Sequence, residues 1–202
     1  MAQQVQLLNR IWIVLVGFIA CNATEPTMTI KNNPQVPNSW VLYTDSALNN
    51  LNGVIYYQSK PYSGKLYALY SNNRDTAFIR SYFSGKEEGE WRSFYENGQM
   101  KEWRFFSNGK KTGKYLVWWP NGKPFMQYQL ENDEYQGTCL EWNEKGLMVK
   151  QMNYQQGHEV GSQKWWYDNG KIKANYIIQD GRRFGLLGTK NCINVTDSIF
   201  KN

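Results

Sequence analysis

The chain has 202 residues, enough for one domain or an array of small units, with 23 Lys and Arg against 17 Asp and Glu and a net charge of +6. Aromatic residues make up 16%, including 9 Trp and 14 Tyr, which excludes disorder for most of the chain, because that much apolar area offsets the entropy of ordering it. A single histidine, His158, excludes His-pair metal sites and two-histidine relays, and three cysteines exclude a disulfide scaffold or a four-cysteine zinc site. No cofactor or metal is expected.

Residues 1–20 read as an export leader: a short n-region with Arg10, then the apolar run Ile11 to Ala20. Ten apolar residues fall short of the roughly 20 that a membrane-spanning helix needs and match the apolar core of a signal peptide. The run ends at Cys21, and Phe18-Ile19-Ala20-Cys21 resembles a bacterial lipobox, with Phe18 where Leu is usual. That resemblance implies cleavage before Cys21, acylation of the new terminal cysteine and attachment to the cell envelope. Asn22 follows the cysteine, which points to the outer membrane. Acyl chains anchor at about 0.8 kcal/mol per buried methylene. Residues 21–39, polar and rich in Pro and Asn, read as a flexible tether.

The body is periodic. Glycines at 64, 89, 113, 137, 161 and 185 are spaced by 25 residues once and by 24 four times. Five units therefore cover residues 64–184, preceded by a partial unit in residues 40–63 and followed by a tail, residues 185–202. Each unit opens with an aromatic-rich run and reaches a turn pair, Asn97-Gly98, Asn121-Gly122, Lys145-Gly146 or Asn169-Gly170. Asn-Gly predicts a type I′ hairpin turn, in which both central residues take positive φ. A second run follows and closes at Gly85, Gly109, Asp133, Gly157 or Gly181. No apolar stripe of helical period and length occurs after residue 40. The predicted fold is all-β: an elongated single-sheet meander of about five 24-residue β-hairpin repeats.

Two aromatic rows fall at fixed places in the unit. Leu69, Phe94, Trp118, Trp142 and Trp166 form one, and Tyr70, Tyr95, Trp119, Asn143 and Tyr167, one residue on, form the other on the opposite face. Tyr82, Phe106, Leu130, Tyr154 and Ile178 are expected to fill the gaps in a sheet that has no second layer.

The pattern G-x-W-x-x-Y/W-x-x-N-G, an aromatic run, then G-x-x-x-G resembles the MORN repeat variant, and residues 89–113 are a close match. The resemblance covers about residues 53–185. It is found in bacterial proteins labelled as YwqK-type antitoxins, and it implies a hairpin-repeat architecture and binding to a protein partner.

Few side chains suggest chemistry. His158 sits in a turn where sister units have Lys86, Lys110, Glu134 and Arg182, and it reads as an exposed turn residue rather than a general base. Glu87, Glu88, Glu134 and Glu159 read as solvated turn carboxylates. Lys86, Lys110, Lys111, Arg182 and Arg183 gather in the same turns and read as edge protection, with an anionic surface as the functional alternative. Trp118, Trp142 and Trp166 are the candidate binding row, since an uncovered aromatic face marks an interaction site. Cys139 and Cys192 lie about four strands apart in a regular stack, too far for a disulfide, and Cys192 is a candidate tail site of redox or metal type. The function expected is that of a non-enzymatic, lipid-anchored scaffold binding a protein or envelope component, without nucleic acid. The alternative is an antitoxin that neutralises a toxin by direct binding.

Overall fold

The computed structural model describes residues 34–188. The leader with Cys21 and the tail with Cys192 lie outside the described residues. Seventeen strands and no helix occur among them. The first four are β1 (Trp40–Leu42), β2 (Leu48–Leu51), β3 (Val54–Tyr57) and β4 (Lys60–Pro61). The repeats hold β5 (Gly64–Leu69), β6 (Thr76–Phe83), β7 (Lys86–Phe94), β8 (Met100–Ser107), β9 (Lys110–Trp118) and β10 (Pro124–Glu131). They continue as β11 (Glu134–Tyr135), β12 (Gly137–Trp142), β13 (Met148–Gln155), β14 (His158–Glu159), β15 (Gly161–Trp166), β16 (Ile172–Gln179) and β17 (Arg182–Leu186).

Fourteen of these form one sheet in sequence order from β5 to β17, with β11 and β14 as short arms on β10 and β13. The fold is the all-β meander that the repeat predicts. Every pairing is antiparallel except that of β1, which runs parallel to β5 through Trp40↔Lys65 and Leu42↔Tyr67. A small separate sheet, β2-β3-β4, precedes the repeats.

The turn chemistry differs from the sequence expectation in an instructive way. Within the repeats, the two-residue turns with both φ positive are Ser84-Gly85 (49° and 78°), Asn108-Gly109 (50° and 79°), Asn132-Asp133 (52° and 73°), Gln156-Gly157 (49° and 76°) and Asp180-Gly181 (50° and 71°). These, at the far end of each unit, are the type I′ turns. At Asn97-Gly98 only the glycine is left-handed, with φ of 78°. Gly98 N–H donates to Tyr95 O at 2.8 Å, and Tyr95 N–H donates to Gln99 O at 2.8 Å. That is a type I turn closed by a left-handed glycine, and the same pair of bonds recurs at residues 119–123, 143–147 and 167–171. Beside each of these turns, and beside the longer turn at residues 70–75 of the first repeat, the register skips one residue of the second strand: Ala77, Lys101, Phe125, Val149 and Lys173. A bulge repeated every 24 residues bends every hairpin alike.

The core is also placed differently. Its centre is the row two residues after each repeat glycine: Leu66, Trp91, Tyr115, Cys139 and Gln163. These lie across from Arg80, Arg104, Tyr128, Met152 and Tyr176. Leu66 is 1% exposed, and Cys139 and Gln163 are 0% exposed. The residues expected to fill gaps elsewhere belong here instead. Tyr82, Phe106, Leu130, Tyr154 and Ile178 are the register partners of Gly64, Gly89, Gly113, Gly137 and Gly161. Opposite a residue without a side chain, they have room to lie over the neighbouring row. Trp91 packs on Phe106 at 4.5 Å between ring centroids and on Tyr82 at 5.9 Å. Tyr135, on the arm β11, lies 5.2 Å from both Tyr128 and Tyr154. The arms thus supply part of the cover that a bare sheet would lack, and each such ring pair adds about 1 kcal/mol beyond its burial.

Candidate functional site

Trp118, Trp142 and Trp166 end the first strand of three successive hairpins and are register partners of Pro124, Met148 and Ile172. Alternation along the strand puts them on the face opposite the Cys139 row. All three are half-buried. Among the described residues none of these indoles pairs with another ring, so the row is not a continuous aromatic stack. Beside the last two the register partners are exposed apolar residues, Met148 at 36% and Ile172 at 53%.

The adjacent row has a structural task. Tyr70 O–H donates to Phe94 O, Tyr95 O–H to Trp118 O at 2.7 Å and Trp119 Nε1–H to Trp142 O at 3.0 Å. Asn143 Nδ2–H donates to the Asp168 carboxylate at 3.2 Å. Each repeat is tied to the next by a polar group at one place in the unit. An aromatic residue with a donor, or an Asn, meets that need, whereas Phe would not. Asn121 Nδ2–H adds a parallel tie to Glu144 O at 3.0 Å.

At the other end the type I′ turns stack. Gly109 N–H donates to Glu87 O, Asp133 N–H to Lys111 O and Gly157 N–H to Tyr135 O, at 2.8 to 3.0 Å. A side chain of the preceding unit caps the other turn amide: Ser63 accepts from Ser84 N–H, Glu88 from Asn108 N–H at 2.7 Å and Gln136 from Gln156 N–H at 2.8 Å. Glu88 is therefore no solvated carboxylate. It is 2% exposed and spends one oxygen on the turn above. Glu159 accepts from Tyr176 O–H and from Arg183 at 2.8 Å, and Glu87 and Glu134 remain at the turn surface. His158, Lys86, Lys110, Arg182 and Arg183 are exposed.

Inside the core, burial and then the Glu141 carboxylate push the Tyr128 phenol strongly up, and Tyr128 O–H donates to Glu141. Lys150 pairs with that carboxylate at 2.9 Å. Gln163 replaces an aromatic residue and satisfies itself: Nε2–H donates to Asn153 O at 2.8 Å and Val160 O at 3.0 Å, and Oε1 accepts from Asn153 N–H. Burial pushes the Cys139 thiol up as well, which makes it an apolar filler rather than a nucleophile. Among the described residues no cluster of three or more His, Cys, Asp or Glu forms a metal site.

Geometry of this kind defines a β-hairpin repeat protein, each unit hydrogen-bonded to the next at both ends. The family model described as MORN repeat variant matches residues 87–108 and 159–176. The two segments begin three 24-residue periods apart, and the chain carries MORN repeat variants there. No curated protein matches the chain. Among solved structures, the crystal structure of TarM aligns at 15% identity with a TM-score of 0.31, over 57% of this chain and 22% of that one.

Proposed function

We propose that the protein is a non-enzymatic repeat scaffold, lipid-anchored through Cys21, that binds a protein or envelope component through the sheet face bearing Trp118, Trp142 and Trp166. The observation that carries the reading is the apolar surface beside the last two tryptophans, where Met148 and Ile172, the register partners of Trp142 and Trp166, are both more than a third exposed. A patch of this kind rimmed by polar turns favours a partner, and the net charge of +6 favours an acidic one. MORN repeats are in general a non-catalytic module, which agrees with the absence of any positioned nucleophile–base pair in the sequence pattern.

The test joins anchor and face. A photo-crosslinking residue placed at Ile172 in intact cells gives a discrete adduct that is lost in Trp142→Ala with Trp166→Ala. Cys21→Ser abolishes both acyl mass and membrane retention. An adduct unchanged by loss of the two tryptophans overturns the face, and an unacylated soluble wild type overturns the anchor.

A further inference from the structure

The core row that runs across the sheet changes character between its two ends. Its second-strand members are Tyr128, Met152 and Tyr176 in the last three repeats, 9%, 6% and 5% exposed. In the first two repeats the same places hold Arg80 and Arg104, both half-buried. Trp91 is the register partner of both, and its indole lies between them, 4.7 Å from the Arg80 guanidinium and 5.3 Å from that of Arg104.

The two arginines are not equally provided for. Arg104 is paired with Glu102 at 2.9 Å. Arg80 rests on Phe78 at 4.1 Å, Trp91 at 4.7 Å and Tyr43 at 5.9 Å, and among the described residues it has no carboxylate partner. Rings below and beside a guanidinium meet its face. The five N–H donors lie in its plane and point past the rings. A half-buried cation in this state has lost water without gaining an anion, which costs free energy unless something else supplies one. Beside it lies a cavity of about 190 Å³, lined by Phe78, Arg80, Trp91, Ser93, Glu102 and Arg104, with Arg92 and Lys101 also on its wall. Arg92 is already held by Glu90, so Arg80 and Lys101 are the cations left over. At about 30 Å³ per water the volume is that of about six waters, room for a small organic group.

We propose that this cavity binds a carboxylate ligand with a flat apolar body, the carboxylate paired with the planar fork of Arg80 and the body lying against Trp91 and Phe78. The guanidinium geometry matches a carboxylate in bidentate fashion. Glu102, fixed on the wall by Arg104, disfavours a more highly charged anion such as phosphate. Because the cavity belongs to the face of the core row, the inference stands apart from the tryptophan-face reading, and neither depends on the other.

The test uses the full chain with benzoate as probe and benzamide and inorganic phosphate as comparisons, read by NMR at the Arg80 side-chain N–H and the Trp91 indole N–H. Benzoate shifts both signals saturably, benzamide does not, phosphate binds more weakly, and Arg80→Gln weakens benzoate at least tenfold. The absence of a benzoate shift at these two groups overturns the proposal. So does equal binding of benzamide, or tighter binding of phosphate. If Arg80→Gln fails to fold, Arg80→Lys decides, since it keeps the charge and loses the fork: weaker benzoate binding supports the site, and unchanged binding overturns it.

Discussion

A single Cβ is enough to separate two uses of glycine in this chain. Gly85 and Gly98 share a φ of 78°, so alanine at either place meets the same left-handed penalty of about 1–2 kcal/mol. At Gly98 an added Cβ meets nothing within 4 Å, whereas at Gly85 it comes within 2.4 Å of Val54 Cγ1 and 2.7 Å of the Ile55 carbonyl oxygen. Gly98→Ala is expected to cost only the backbone penalty. Gly85→Ala adds a clash with main chain, at least about 1–3 kcal/mol more, and denaturant titration of the two variants checks the difference. Burial acts on the tyrosines in the same local way. Desolvation raises Tyr82, Tyr115 and Tyr154 to about 12. Above the ordinary value of about 10 the unfolded chain loses these protons before the folded one does, so stability falls as pH rises from about 10 to about 12 and is intact below that window. Tyr82, 4% exposed, accounts for about 3 kcal/mol of the loss. Tyr82→Phe should flatten the decline measured by chemical denaturation across that range.

At the scale of the hairpin, the type I turns invite a test by proline. Pro120 already occupies the second position of the turn between Trp119 and Gly122, where φ near −65° is required. Glu96→Pro and Glu144→Pro place proline at the equivalent exposed sites and are expected to be neutral or to stabilise by roughly 0.4–1 kcal/mol. Asn108→Pro, at a φ of 50°, should cost about 3 kcal/mol or more. Thermal midpoints of the three variants read the turn types directly. The periods, the hairpins and the all-β class were legible from glycine spacing alone, yet Asn-Gly was matched to the wrong turn. Pro120 was the available signal, because the residue before a two-residue Asn121-Gly122 turn would have to donate an N–H across it, and proline has none. The core row was obscured for a different reason. Arg80, Arg104, Cys139 and Gln163 break its apolar character, and only the pairing of each repeat glycine with Tyr82, Phe106 or Leu130 reveals where side chains have room. Of the candidate site, the place of Trp118, Trp142 and Trp166 at one strand end followed from spacing. The role of Tyr95 and Trp119 as ties did not, since it depends on which carbonyl the next repeat presents. Tyr95→Phe is therefore expected to cost about 1 kcal/mol, and Tyr167→Phe, 52% exposed and without such a tie among the described residues, close to nothing. Denaturation of the pair distinguishes a structural tie from a mere aromatic surface.

From β5 to β17 the sheet follows the order of the chain, and no connection crosses from one repeat to a distant one. Stability in such a stack is close to a sum of unit terms and nearest-neighbour terms. Removing one whole unit should then cost one unit and one interface while leaving every remaining contact type in place. Residues 137–160 are the unit to remove, because Gln136 and Val160 occupy the same place before the repeat glycine, and the deletion joins Gln136 to Gly161. Trp119 then finds the carbonyl of Trp166 where it had that of Trp142, and Tyr128 and Leu130 face the strand that carries Gln163 and Trp165. The shortened chain should keep a β-sheet spectrum and one cooperative thermal transition at a lower midpoint. Removing residues 137–148 instead deletes one strand of a hairpin, which reverses the direction of every later strand relative to the strands before the deletion and sets type I turns beside type I′ turns. The hydrogen bonds from Gly157 to Tyr135 and from Trp119 to Trp142 then have no counterpart, and loss of the cooperative transition follows. If both deletions unfold alike, repeat-by-repeat additivity is wrong for this sheet, and the Tyr128–Glu141–Lys150 group becomes a keystone rather than one interface among equals.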